Sequence, residues 1–410
     1  MFKRLESKDL QPAGDRLKLD FDMVKFYITL VYLIFNFSYV SIIGELSHIV
    51  SILNYLFYVV FILIFVYSVY KNKFEFTFYN CVFILFLFST VVSMYLNSYS
   101  FGEYINEIKL ILLGMFQFFI FFNVINKNKD IKLKILSTVI LGVCFISHIF
   151  SIIFYIFKVR FVLTKVYGFH FDGSFTGIYD NENILGIICF IGIVFSFIFL
   201  NYYKEILFKK IAIINVILSI IMLFLVSARS AVIAFLVFCF VFTAITFKKK
   251  WIVITFFVGC CLFSIYLLIN NTLLVKLLNG RYEIWEQVLT IIKNNILFGY
   301  SKTHSINVLD NSTIRFLSGV KEGGTHNTFL DILLSYGSVA LVLFVSFIVV
   351  YLIRIYKILR KNIDKFNYIV LYSAVLSFLF IGMFESVLVY TPSLIGIIFW
   401  IIMGYVKDES

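Results

Sequence analysis

Three side chains able to take part in one reaction stand at breaks in an otherwise apolar chain. Arg229 lies in Val226-Ser227-Ala228-Arg229-Ser230, where two apolar runs meet with almost no connection. Its guanidinium is therefore expected at or below a membrane interface. A cation there costs about 2.5 kcal/mol or more towards a helix centre, so it usually faces a cavity or a partner. The plainer reading is an arginine that snorkels to headgroups and fixes topology. Arg281, in Gly280-Arg281-Tyr282-Glu283-Ile284-Trp285, falls in the first turn of an expected helix, where the macrodipole disfavours a cation by about 0.3–1 kcal/mol. An anionic ligand would account for it, because guanidinium holds phosphate oxygens through two parallel charge-assisted hydrogen bonds; a solvated loop arginine is the alternative. His326, in Gly323-Gly324-Thr325-His326-Asn327, precedes an apolar run, which places its ring near a helix amino terminus. The positive potential there favours neutral imidazole, the form that accepts a proton, whereas Glu322 and Asp331 act in the opposite sense. Asn327 is placed either to cap the helix or to position a sugar hydroxyl.

These residues must be held by membrane-spanning helices. The 410-residue chain is 61% hydrophobic and only 14% charged, with mean hydropathy +0.99, and no water-soluble surface can be built from so few polar residues. Its apolar runs have the length, about 17 to 25 residues, that a helix needs to cross roughly 30 Å of hydrocarbon, and are too long for barrel strands. Hydropathy predicts spans over 26–43, 49–70, 76–96, 108–125, 133–157, 183–203, 211–226, 231–247, 252–269, 328–351, 368–390 and 393–406. The expected fold is therefore all-α and polytopic, with about twelve transmembrane helices in one integral domain over 1–410. A large extracytoplasmic loop, 270–327, separates the ninth helix from the tenth. Within it Trp285, Val288, Leu289, Ile292 and Ile296 follow helical spacing and predict an amphipathic surface helix, with irregular chain over 300–324.

The net charge of +12 resides mostly in short basic runs at alternate connections, such as Lys127/Lys129/Lys132/Lys134, Lys204/Lys209/Lys210 and Arg354/Lys357/Arg360/Lys361. This pattern fixes topology and argues against nucleic acid. By the positive-inside rule both termini are cytoplasmic and the long loop faces outwards. The amino terminus reads as a cytoplasmic tail and not as a cleaved leader. All six cysteines fall inside expected spans without metal-ligand spacing, the histidines show none either, and no metal site or cofactor is expected. Asp20-Phe21-Asp22 has the spacing of a nucleotide-sugar metal motif but reads as a solvated tail. The outer loop from Gly173 to Asn183, with Gly177, Asp180, Asn181, Glu182 and Asn183, is dense in sugar-type hydrogen-bonding groups. Capping of the next helix by Asn181 or Asn183 is compatible with a binding role.

The order of these motifs resembles the O-antigen polymerase and ligase superfamily, which includes the Wzy-type polymerases of capsule and exopolysaccharide assembly. An outer loop with Gly177, Asn181 and Asn183 precedes the sixth span, Arg229 follows the seventh, Arg281-x-x-x-Trp285 opens the large loop, and His326-Asn327 with Gly337 closes it. The chain departs in having Ala228 where the family often has serine, and in reducing a Pro-x-x-Gly-x-Gly-like element to Ile296-Leu297-Phe298-Gly299-Tyr300. The resemblance implies a metal-independent GT-C-like glycosyltransferase of the plasma membrane acting on undecaprenyl-pyrophosphate-linked glycans. It implies Arg229, Arg281 and His326 as the catalytic residues and Tyr282, Trp285, Asn327, Gly177, Asp180, Asn181 and Asn183 at the substrate. Expected partners are a lipid-linked oligosaccharide donor and acceptor, membrane lipid, a flippase and a chain-length regulator. An O-antigen ligase is the nearest alternative, and a lipid-linked oligosaccharide flippase or transporter is the alternative of another class. The latter would need internal pseudo-symmetry, which the sequence lacks.

Overall fold

A computed structural model describes residues 20–41, 47–71, 78–97, 100–125, 127–162, 165–171, 173–226, 228–247, 251, 255, 259, 280–310, 312, 324–361 and 366–406. Among these the regular structure is helical apart from four strands of two or three residues. The helices are α1 (Phe21–Tyr39), α2 (Ser47–Tyr70), α3 (Phe78–Asn97), α4 (Phe101–Phe116), α5 (Lys129–Ile156), α6 (Glu182–Tyr202), α7 (Ile206–Leu225), α8 (Arg229–Phe247), α9 (Arg281–Ile291), α10 (Lys302–Asp310), α11 (Thr328–Lys361), α12 (Phe366–Gly382) and α13 (Leu394–Val406). Nine are long and apolar enough to span a membrane, and α12 and α13 are shorter apolar helices. The predicted span 252–269 lies almost wholly outside the described residues. The protein is thus an all-α polytopic membrane protein.

Helix ends are set by local chemistry. Ser100 and Glu103 form a reciprocal capping box at α4, and Asp20 caps α1. α4 passes into a π-helical turn, Gln117–Phe121, which presses Gln117 wholly into the interior. The bundle packs α3 along α11, α6 between α5 and α7, and α8 along α12. Its centre is aromatic: Phe83 stacks on Phe118 at 4.0 Å, and Phe122, Phe347 and Trp400 surround the pair. Between α5 and α6 the chain forms two small antiparallel hairpins, Phe161–Val162 with Lys165–Val166 and Gly168–Phe169 with Phe175–Gly177.

Two breaks in the helices depart from the sequence reading and shape the site. The eleventh span, expected to continue to Tyr390, ends at Gly382 as α12, and residues 383–393 run on without helix. The chain folds back over the helix end. Leu388 packs so closely on Gly382 that a Cβ there would lie 2.4 Å from its Cδ1. Irregular backbone survives at such depth only if protein groups satisfy it. Gln117 accepts from Tyr390 N and donates to Thr391 O, Trp400 Nε1 donates to Leu388 O, and Ser393 Oγ donates to Val387 O. The second break is in α11, at Gly337, with φ 82° and ψ −179°. The stretch 296–300 lies in this kink, where Ser338 N donates to Ile296 O and Tyr300 N to Leu334 O. A Cβ on Gly337 would come within 2.1 Å of Leu297 O, and one on Gly299 within 2.6 Å of Ser335 C. The two glycines permit the backbones to meet.

Candidate active site

The site is assembled from three segments: the start of α9, the turn 324–328 that opens α11, and the irregular chain after α12. α9 forms where expected, but its buried stripe is Ile284, Val288 and Ile292, flanked by Trp285 and Ile291. Leu289 and Ile296, expected on that face, are exposed, so the helix is rotated by about one residue from the predicted stripe. The reason is that Trp285 is held from another direction. Its Nε1 donates to Thr325 O at 3.0 Å, and its ring lies 6.2 Å from Phe384.

The turn 324–328 is fastened to the chain after α12. Asn327 N donates to Ser386 Oγ at 3.0 Å, and Thr328 Oγ1 donates to Glu385 O at 2.8 Å. Asn327 Oδ1 accepts from the backbone N–H groups of Phe329 and Leu330, so its side-chain oxygen is spent on capping α11. His326 has φ 48°, a left-handed conformation that costs a non-glycine residue about 1–3 kcal/mol and persists only where neighbours hold it. The bonds on either side of His326 do so, and they present its ring towards Glu385.

Glu385 is the centre of the arrangement. Its Oε1 accepts from Arg281 Nη2 at 2.7 Å, and its Oε2 lies 3.6 Å from His326 Nδ1. All three side chains are largely withdrawn from solvent, at 17%, 11% and 18% exposure for Arg281, Glu385 and His326. Arg281 therefore has a carboxylate as its partner where the sequence suggested an anionic ligand or a solvated loop position. That pairing explains why a cation is tolerated in the first turn of α9. The 3.6 Å separation is longer than a hydrogen bond. A hydrogen bond from Nδ1–H to this carboxylate would leave the Nε2 lone pair as the proton acceptor.

A second ion pair adjoins. Lys302, at the start of α10, reaches both carboxylate oxygens of Asp331 at 2.5 and 2.6 Å. α10 itself lies where irregular chain was expected. It forms because the fully buried carboxylate of Glu107 accepts from Thr303 N in its first turn, while Ser305 and Leu309 turn inward on α11.

Of the other predicted residues, Tyr282 lies on α9 and the rest at the starts of α6 and α8 or in the chain before α6. Arg229 is the first residue of α8 and is exposed, while Ala228 before it is buried against Gly186 of α6. A Cβ at Gly186 would lie only 2.4 Å from that of Ala228, which rationalises a small residue there. Asn181 caps α6 by accepting from Asn183 N at 2.7 Å. Gly177, at φ 60°, packs on Ser151, and Asp180 and Tyr282 are exposed. Sequence reasoning missed Glu385 altogether. The available signal was an acid inside an apolar run, which is costly unless paired or functional.

The fold and this cluster define a class: a polytopic α-helical membrane protein with a guanidinium, a carboxylate and an imidazole gathered where α9, α11 and the chain after α12 meet. Residues 214–345 are similar to the Wzy_C family, described as O-antigen ligase. The match bears out the resemblance read from the motifs. It contains Arg229, Arg281, Trp285, His326 and Asn327 and ends before Glu385. No curated protein matches the chain.

Proposed function

We propose that this chain is a polysaccharide polymerase that joins undecaprenyl-pyrophosphate-linked oligosaccharide repeats on the outer face of the plasma membrane. The observation that carries the reading is the convergence of Arg281 and His326 on Glu385 within 3.6 Å, at the junction of α9, α11 and α12. In this account the donor is a glycan whose anomeric carbon is bonded to a lipid pyrophosphate. The acceptor hydroxyl gives its proton to His326 Nε2, its oxygen bonds to the anomeric carbon, and the bond from that carbon to the pyrophosphate oxygen breaks. The leaving group departs as a stable anion and needs little acid assistance. Preorganised cations aimed at its growing charge are then the larger catalytic term, with the base contributing about 10² to 10⁴-fold. Arg281 supplies the bidentate cation and Arg229, exposed at the start of α8, a second one. Glu385 positions both Arg281 and His326. The alternating basic connections support placing this chemistry outside and both termini inside.

The family's description favours a second reading, a ligase that moves a finished glycan to another lipid acceptor. Donor chemistry is common to both. Cells deleted for the chain distinguish them: a polymerase leaves single lipid-linked repeats, whereas a ligase leaves long glycan still on its polyprenyl carrier. Normal surface glycan of full length in the deletion strain would contradict both.

A further inference from the structure

Between α2, α4 and α10 lies a cavity of about 450 Å³ that the reaction above does not use. Asn54, Tyr55 and Tyr58 of α2 line one wall, Asn106 and Lys109 of α4 another, and Lys302 of α10 a third. Lys109 lies within the candidate span 101–121, where an ammonium is costly without a partner. Among the described residues it makes no ion pair; its Nζ stands 5.8 Å from the Tyr55 ring. Other half-buried cations at this end have carboxylates, Arg281 with Glu385 and Lys302 with Asp331. An ammonium beside aromatic faces and carboxamides has the chemistry that recognises phosphate joined to a sugar. The cavity is also of the size that holds such a head.

Its position supplies a second argument. Lys302 forms part of the cavity wall and is bonded to Asp331, and a Cβ at Gly324 would lie 3.6 Å from each of those groups. Gly324 leads directly to Thr325 and His326, so the cavity and the Arg281–Glu385–His326 cluster share a partition. An acceptor that is itself lipid-linked carries its phosphate at one end and its reacting hydroxyl at the other. Its phosphate therefore needs a seat distinct from the one that holds the donor pyrophosphate. The flank of α2 beside the cavity is exposed and apolar, through Ile52, Leu56 and Val59, as lateral approach from lipid requires.

We propose that this cavity seats the phosphate-and-sugar head of the lipid-linked acceptor, with Lys109 as counter-charge, Tyr55 and Tyr58 against the sugar rings, and Asn54 and Asn106 on hydroxyls. The assignment rests on the reading of the chain as a transferase with two lipid-linked substrates.

The test is the stoichiometry and affinity of undecaprenyl pyrophosphate bound to the full chain in phosphatidylcholine nanodiscs, read by native mass spectrometry. Wild type binds two. Lys109→Gln weakens one site tenfold or more, as loss of a charge-assisted phosphate contact does. Lys109→Arg retains both, and Asn106→Trp, which fills the cavity from an exposed position without touching the charge, also loses one. Arg281→Gln loses the other site and keeps the one that depends on Lys109. Two sites of wild-type affinity in both Lys109→Gln and Asn106→Trp would overturn the proposal. So would displacement from this seat by an equal concentration of phosphatidylglycerol or of inorganic pyrophosphate, because the seat would then recognise any phospholipid or any phosphate. Binding that depends on Lys109, in a protein that forms no polymer, would contradict the transferase reading and leave the site standing.

Discussion

A carboxylate shared between Arg281 and His326 has two tasks, and substitution at the three positions separates them. Glu385→Gln keeps size and removes charge. With the pair largely buried, losing one partner leaves an uncompensated cation and costs on the order of a few kcal/mol. We expect turnover to fall by about 10²-fold or more, following the loss of an oriented base and of a held cation. Because Arg281 and Glu385 touch at 2.7 Å, the double variant Arg281→Gln/Glu385→Gln should be less damaging than the sum of the singles. Additive losses in that cycle would show that the pair does not act as a unit. Arg281→Lys keeps the charge but should lose most activity, since a point ammonium cannot reproduce a two-pronged grip on phosphate; wild-type rates in a normally expressed variant would remove Arg281 from the mechanism. Arg281 is legible in the sequence as a charge that breaks a local rule of helix or membrane design, and His326 through its place just before an apolar run. Glu385 breaks the same rule, but it was absorbed into an apolar run taken to be helical as far as Tyr390, and only the reversal of the chain over Gly382 brings it to the site.

The elements that hold these residues depend on backbone geometry that hydropathy does not register. Gly337 lies at φ 82° with Leu297 O where a Cβ would go, so Gly337→Ala should destabilise the protein by about 1–3 kcal/mol or more and uncouple the 296–300 stretch from α11. The unfolding temperature and turnover should fall together; an unchanged melting curve would mean that the kink is not held as described. Gln117→Leu removes the donor and the acceptor that satisfy Thr391 O and Tyr390 N, each loss costing about 1–3 kcal/mol in an apolar setting. The segment carrying Glu385 should loosen, which faster amide exchange at 385–391 would report. Periodicity located α9 but misjudged its buried stripe by a residue, since a hydrogen bond from Trp285 to a distant turn cannot be seen in spacing. α10 is hidden in sequence because the stretch 300–324 as a whole is rich in Ser, Thr, Asn and Gly, and its helix starts where the buried Glu107, almost two hundred residues earlier, accepts from Thr303 N.

For the whole molecule, the long apolar runs made the all-α architecture plain, and alternating basic connections assigned a side to each end. Sidedness can be tested in a cysteine-free background. A cysteine at Thr290, exposed on α9, should react with an impermeant thiol reagent added outside intact cells, and one at Glu205, exposed before α7, only after permeabilisation. The reverse pattern would put the site in the wrong compartment for lipid-linked donors presented outside. The most direct test of the central claim is polymer formation by the purified chain in proteoliposomes. It would be supplied only with single lipid-linked repeats extracted from cells that lack it, and compared with His326→Asn, which keeps hydrogen bonding but cannot accept a proton at neutral pH. The account predicts a ladder of lengthening glycan from wild type and a loss of about 10²-fold or more in the variant, with binding of the lipid-linked repeat unchanged. A ladder of near-wild-type rate from His326→Asn, or none from a well-folded wild type that binds its repeats, would contradict it.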